Sequence, residues 1–250
     1  MDYKASTKFY YEFFYRHNIV GDDHERYQVI FELIAELCNG QISKISKVLD
    51  VGCGPGIITN YLRQMIPAVF STDIIKTNMF DARSSSNHNV CFAQSALPRL
   101  PFSDSAFDLI VFSEVIEHLQ KGDQIASIKE IARVVRRGAW VILSTPNPTG
   151  INGLTETIYA WYQTLRHREK ILPKRGGQLI ENWIRPHKLR SYLKMYFKIT
   201  VSLGSCYVPF WLPKPLNYGI KLLVPISHWC REQRFATRLG LYQYYLLQRL

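Results

Sequence analysis

The sequence predicts an α/β fold: a doubly wound, mostly parallel seven-stranded sheet with helical and loop insertions near the C-terminus. Three observations predict it. Short apolar runs alternate with stretches whose apolar residues recur at helical spacing, the pattern of right-handed βαβ units. Phe107–Phe112 is a continuous apolar run, as a parallel strand covered on both faces requires. A glycine cluster at Gly52, Gly54 and Gly56 directly follows the first short apolar run and opens a helical stretch.

The elements follow in order. Ile30, Phe31, Ile34 and Leu37 fall at helical spacing within Tyr27–Leu37, with Gly40 as the stop. Before them, the aromatic cluster Tyr10, Tyr11, Phe13, Phe14 and Tyr15 makes residues 1–40 a helical segment that either packs on the core or closes over the site as a lid. Lys47–Val51 reads as the first strand and Ile57–Met65 as a helix stopped by Pro67. Ala68–Ile74, Asn89–Ala93 and Phe107–Phe112 are the next strands. Asp123 is placed to cap a helix running to Arg137, with Ile125, Ile128, Ile131 and Val135 as its apolar stripe and Gly138 as its end. Trp140–Ser144 is a fifth strand. Thr155–His167 has Ile158, Trp161, Tyr162 and Leu165 at helical spacing; His187–Tyr196 reads as a helix, and Phe197–Ser202 and Tyr242–Gln248 as the last strands. We read residues 1–250 as one domain, with 151–186 and 207–238 as insertions forming a cap over the ligand end of the sheet.

Composition narrows the class. With 47% hydrophobic and 20% charged residues, the chain can bury a core and is not disordered. Its net charge of +11 is uneven: residues 1–150 hold 15 basic and 16 acidic residues, and residues 151–250 hold 16 and 4. A basic C-terminal part suits an anionic partner, whether lipid headgroups, nucleic acid or a phosphorylated substrate. Cys38, Cys53, Cys91, Cys206 and Cys230 show neither metal-ligand spacing nor a disulfide framework, which points to reduced thiols in the cytoplasm and to no metal. The polar N-terminus is unlike a signal peptide. Val208–Trp229 contains Pro209, Pro213, Pro215 and Pro225 and is a poor spanning helix.

The chemistry is read from three segments. In Val48-Leu-Asp-Val-Gly-Cys-Gly-Pro-Gly the glycines let backbone turn sharply and approach a ligand. Residue 57 is Ile, so the dinucleotide spacing G-x-G-x-x-G is not met. Asp73 follows Gly56 by 17 residues at the end of the next strand, close to the offset at which an acid accepts bonds from ribose hydroxyls. Taken alone, the first signal also suits a ligand-free turn, and the second a strand-end carboxylate.

The third segment is Leu100-Pro-Phe-Ser-Asp-Ser-Ala-Phe-Asp-Leu-Ile-Val-Phe-Ser-Glu-Val-Ile-Glu-His-Leu. With it, residues 47–147 resemble the class I S-adenosylmethionine-dependent methyltransferases, a Rossmann-like family, and especially the branch with the ubiquinone-pathway O-methyltransferases. The resemblance spans the glycine motif, Asp73, this segment and Arg136-Arg-Gly in register. It implies that Asp50 and the turn Gly52, Cys53, Gly54 and Gly56 hold the methionine end of S-adenosylmethionine. It further implies that Asp73 binds the ribose, that Ile74 packs on the adenine, and that Ser95, Ala96 and Leu97 border the adenine edge. Ser113 and Glu114 would face the methyl group. Two departures stand out: Ser95-Ala96 occupies a loop where many relatives carry an acid, and Arg136-Arg-Gly-Ala replaces a Lys-Pro-Gly-Gly turn.

A hydroxyl acceptor needs its proton removed. His118 is the first candidate base, because an imidazole titrates near neutrality, and His187 the second. Each also suits a structural role. The apolar stripe at Thr155–His167 and the basic C-terminal part suggest O-methylation of a small or lipid-like acceptor, with peripheral contact to an anionic membrane or an ordinary cap as the alternatives. A second reading is RNA or other nucleic-acid methylation using Lys170, Lys174, Arg175, Arg185, Lys188 and Arg190, although no Asn-Pro-Pro-Tyr motif is present. A third is a non-catalytic binding protein; the intact glycines and Asp73 weigh against it.

Overall fold

The computed structural model describes residues 22–41, 45–75, 89–150, 161, 164–165, 182–205 and 239–250 of the chain. Seven strands form one sheet: β1 (Lys47–Val51), β2 (Ala68–Asp73), β3 (Val90–Gln94), β4 (Phe107–Ser113), β5 (Val135–Pro146), β6 (Phe197–Ser205) and β7 (Tyr242–Arg249), in the order β3-β2-β1-β4-β5-β7-β6. β1 to β5 pair in parallel, and β7 inserts antiparallel between β5 and β6. The described helices are α1 (Asp22–Gln41), α2 (Ile57–Leu62), α3 (Lys121–Val134) and α4 (Pro186–Leu193), with a 3₁₀ turn at Ile116–His118. The α/β sheet is thus the mostly parallel, seven-stranded one that the alternation predicts.

Period-two alternation sorts the strand residues between two apolar layers. Val48, Leu109, Val111, Ile142 and Tyr244 pack with α1 and α2, whereas Leu49, Ile110, Phe112, Val141 and Tyr245 pack with α3 and α4. The predicted stripe of α1 is buried throughout: Ile30, Phe31, Ile34 and Leu37 all lie in the first layer, where Phe31 stacks on Tyr61 of α2 at 3.9 Å. Strand order reverses between β1 and β4, so a crevice opens at their C-terminal ends, where an open α/β sheet binds ligands.

The third helix differs from its prediction. It starts at Lys121 and stops at Val134, and Gln120, not Asp123, precedes its first turn. Ile125 is 36% exposed, while Gln124 is buried. The polar Gln124 takes the inward place because its amide donates to Ile116 O and Asn182 O. Nor does Gly138 end the helix. The chain enters β5 at Val135, which pairs with Phe107; the next pair is Leu109 with Trp140, so Arg136, Arg137 and Gly138 bulge outward. Gly138 at φ +76° makes the bulge, and Arg136 is held by Asp108 at 2.8 Å. The other predicted elements differ by a few residues at their ends.

Expectations for the aromatic cluster at 10–15 and for the basic stretches 166–181 and 206–238 lie outside the described residues. So does Thr155–His167, apart from Trp161, Thr164 and Leu165. Among the described residues, no helix is long and apolar enough to cross a membrane.

Candidate active site

A cavity of about 430 Å³ occupies the crevice, within the usual size range for small-molecule sites. Its floor is the glycine turn after β1. Gly52, Gly54 and Gly56 have φ of +73°, +51° and +84°, all in the left-handed region, where a side chain costs about 1–2 kcal/mol. Gly52 N–H and Cys53 N–H both donate to Thr72 O at the end of β2, at 2.7 and 2.9 Å. Gly54 N–H donates to Asp73 Oδ2 at 2.9 Å, and Ile75 N–H to Asp73 Oδ1 at 2.8 Å. The acid that ends β2 is therefore stitched to the glycine turn.

The cavity is lined by Gly52, Cys53 and Gly54 from the turn, by Asp73 and Ile74 after β2, by Ser95, Ala96 and Leu97 after β3, and by Ser113, Glu114 and His118 after β4. Ile74 is 66% exposed at its edge. Three candidates lie elsewhere. Asp50 is buried beneath the turn, where its Oδ2 accepts from Thr59 Oγ1 at 2.6 Å. Its carboxyl is pushed up to about 7, first by burial and further by Asp73, against the Thr59 bonds. It shapes the turn from below and does not line the cavity, because its position in β1 points it into the layer between sheet and α2. Gly56 supplies the left-handed residue that starts α2 and is likewise off the lining. His187 sits exposed in the first turn of α4, outside the cavity, because Pro186 starts that helix and Leu189, not His187, turns inward. Cys53 lines the wall, but burial pushes its thiol well above the ordinary range, followed by Asp50 and Asp73. A thiol held so far up keeps its proton at neutral pH and is a poor nucleophile.

The far end is built around Glu114, itself at φ +54°. Such a backbone in a non-glycine residue persists only where its surroundings enforce it. Here Glu114 N–H donates to Ser144 O at 3.0 Å, Ser144 Oγ donates to Glu114 Oε1 at 2.6 Å, and Ser113 Oγ meets Ser144 Oγ at 2.8 Å. Burial raises the Glu114 pKa above the usual carboxylate range, against the pull of Arg26, Ser144, His118 and Glu117. Glu117 is fully buried and accepts from Thr145 Oγ1 at 2.9 Å; its Oε1 lies 3.9 Å from His118 Nε2.

Sequence reasoning named neither Arg26 nor Tyr27 of α1 as a site residue. Arg26 and Tyr27 line the cavity beside Glu114, and the Arg26 guanidinium lies over the Tyr27 and Tyr242 rings at 4.8 and 5.8 Å. No local motif marks them, and only the helical stripe one turn later hinted that α1 docks here. Val115, Leu119 and Leu100 complete an apolar wall around the acidic end.

Residues 49–143 match a family described as a methyltransferase domain. Over 122 residues the chain is 33% identical to a probable S-adenosylmethionine-dependent methyltransferase of Mycobacterium tuberculosis, covering 49% of this chain and 42% of that protein. The chain thus spans less than half the length of that relative. A ubiquinone biosynthesis O-methyltransferase of Glaesserella parasuis is 29% identical over 197 residues, covering 74% of this chain and 79% of its own. Among solved structures, magnesium protoporphyrin IX methyltransferase from Synechocystis, with bound SAH, superposes with a TM-score of 0.59 at 18% identity, covering 89% and 83% of the two chains. That likeness is one of fold.

Proposed function

We propose, from the match of residues 49–143 to a methyltransferase-domain family and the likeness to S-adenosylmethionine-dependent methyltransferases, that the chain moves a methyl group from S-adenosylmethionine to a hydroxyl of a small or lipid-like acceptor. The observation that carries the reading is the Gly54 N–H to Asp73 bond, which joins glycine turn and acid into one cradle where neighbouring strands end.

The residues present fit the cofactor on three counts. A Cβ built at Gly54 meets nothing within 4 Å, so the turn leaves open space at its crest. Ser95 Oγ is buried without a hydrogen-bond partner beside the cavity, an arrangement that a nucleoside base edge would satisfy. Arg26 supplies a cation for an amino-acid carboxylate. Asp73, Ser95, Ile74 and the 52–54 backbone would then hold the nucleoside, while Asp50 supports the turn.

The cofactor supplies an electrophilic methyl group. The chain must align the acceptor and exclude water, and such positioning supplies up to roughly 7–11 kcal/mol. The wall of Tyr27, Val115, Leu119 and Leu100 favours an acceptor with an apolar body. His118, the imidazole on that wall, takes the hydroxyl proton, a step worth about 10²–10⁴-fold. Glu114 and Glu117 stand beside it to stabilise the imidazolium.

Calorimetry with S-adenosylmethionine tests the cradle: binding lost in Asp73→Asn supports it, and no binding by the native chain ends the reading. Labelled methyl donor is then offered with phenols, hydroxylated lipids and RNA. Label in a hydroxyl acceptor, with turnover reduced at least about 100-fold in His118→Gln, is the expected result. Near-normal turnover excludes His118 as the base, and label in RNA overturns the acceptor class.

A further inference from the structure

The turn that carries His118 is fastened from a distant part of the chain. Its outward carbonyls are those of Ile116, Glu117 and Leu119. Asn182 N–H donates to Glu117 O at 2.7 Å, and Asn182 Nδ2 donates to Leu119 O at 3.0 Å. Gln124 Nε2 donates to Ile116 O at 3.2 Å and to Asn182 O at 2.8 Å. One residue, 64 positions beyond His118, thus brackets it through the carbonyls on either side. The opposite end of the turn rests on the cradle, since a Cβ at Gly52 would lie 2.4 Å from Val115 Cγ2.

Resting on the reading above, we infer that Asn182 is a positioning residue, setting where His118 and Leu119 stand over the acceptor end of the cavity. Its side chain and backbone act on the carbonyls flanking His118, not on the imidazole. Leu119 O accepts from the Asn182 side chain, whereas the His118 N–H is retained within the turn by Val115 O at 3.0 Å. Loss of the Asn182 amide therefore frees the cavity-facing half of the turn and leaves the Gly52–Gly56 cradle as it was. Asn182 also precedes α4, so the stretch that joins β5 to α4 ends in a bond to the proton-accepting turn.

The test uses the full chain labelled with ¹⁵N and with ¹³Cε1-histidine, free and saturated with S-adenosylhomocysteine. In Asn182→Ala, the His118 and Leu119 amides exchange with solvent at least about tenfold faster than in the native chain, and the His118 ring signal broadens or splits. The Gly52–Gly56 amides and the affinity for S-adenosylhomocysteine stay within about twofold. Asn182→Ser, which keeps a shorter donor, falls between and serves if the alanine variant does not fold. Asp108→Asn, at the remote start of β4, where Asp108 accepts from Ser46 and Lys47, is the destabilised control. The inference is overturned if His118 exchange and ring signal are unchanged in both Asn182 variants, or if Asp108→Asn moves them equally. Failure of the native chain to bind S-adenosylhomocysteine would strike the cofactor reading instead, and exchange in the free protein would still decide the role of Asn182.

Discussion

Gly52 and Gly54 are two residues apart in one turn, yet alanine should fail at each for a different reason. At Gly52, φ is +73° and the new Cβ would fall 2.4 Å from Val115 Cγ2. The backbone costs about 1–2 kcal/mol, and the overpacking a further 1–3 kcal/mol or so. Gly52→Ala should thus lose roughly 2–5 kcal/mol of stability. At Gly54, φ is +51° and the Cβ meets nothing within 4 Å, so the loss should stop at about 1–2 kcal/mol. Its methyl instead enters the space assigned to the cofactor, and affinity for S-adenosylhomocysteine should fall at least about tenfold, equivalent to 1.4 kcal/mol. Val115→Ala provides the decisive comparison. Combined with Gly52→Ala it removes the clash, so the double variant should be more stable than the sum of the singles by about 1–3 kcal/mol. Combined with Gly54→Ala it should be additive. Urea denaturation gives the stabilities and calorimetry the affinities. Additivity at Gly52 would refute the contact with Val115, and native affinity in Gly54→Ala would refute the cradle.

Three further outcomes are expected. Arg133 donates to Leu100 O, Phe102 O and Asp104 while pairing with Glu130; with its side chain a third exposed the ion pairs are discounted, and Arg133→Met should cost about 2–3 kcal/mol from the bonds to the loop, measured by urea denaturation. Because Asp50 is raised to about 7 in the folded chain from 3.8, the native state holds its proton longer than the unfolded one; its contribution is present at acid pH and is lost as pH rises from about 4 to about 7, so Asp50→Asn should flatten the fall in stability between pH 5 and pH 8. Ser95→Ala removes a buried hydroxyl with no partner; stability should change by less than about 0.5 kcal/mol, while S-adenosylhomocysteine affinity drops about 2–12-fold, one neutral hydrogen bond.

The strands were legible because each is a short apolar run and the sheet needs nothing else to place them. Phe107–Phe112 is buried along its length, as a strand covered on both faces must be. The third helix was misread at both ends. Periodicity assigns Ile125 to the core, but the helix turns Gln124 inward once two carbonyls from other segments are available to its amide. Likewise, Gly138 is a stop signal in sequence and a bulge in space, since Val134 and Val135 let β5 begin at once and Asp108 captures Arg136. The family resemblance implies a ligand contact for Asp50; the alternation of β1 turns its carboxyl beneath the glycines, onto Thr59.

The two ends of the cavity differ in how the chain encodes them, and this bears on what each can specify. The cradle comes from residues 52–54 and 73–75, joined by bonds spanning about twenty positions, so a local motif carries it. The acceptor end draws Tyr27 from α1, residues 114–119 from the turn after β4, Ser144 and Thr145 from β5 and the support of Asn182. No window of sequence contains them together. The family match ends at residue 143, before Ser144, Thr145 and Asn182. The proposed cofactor end therefore lies within the matched domain, and Ser144, Thr145 and Asn182 at the proposed acceptor end lie outside it.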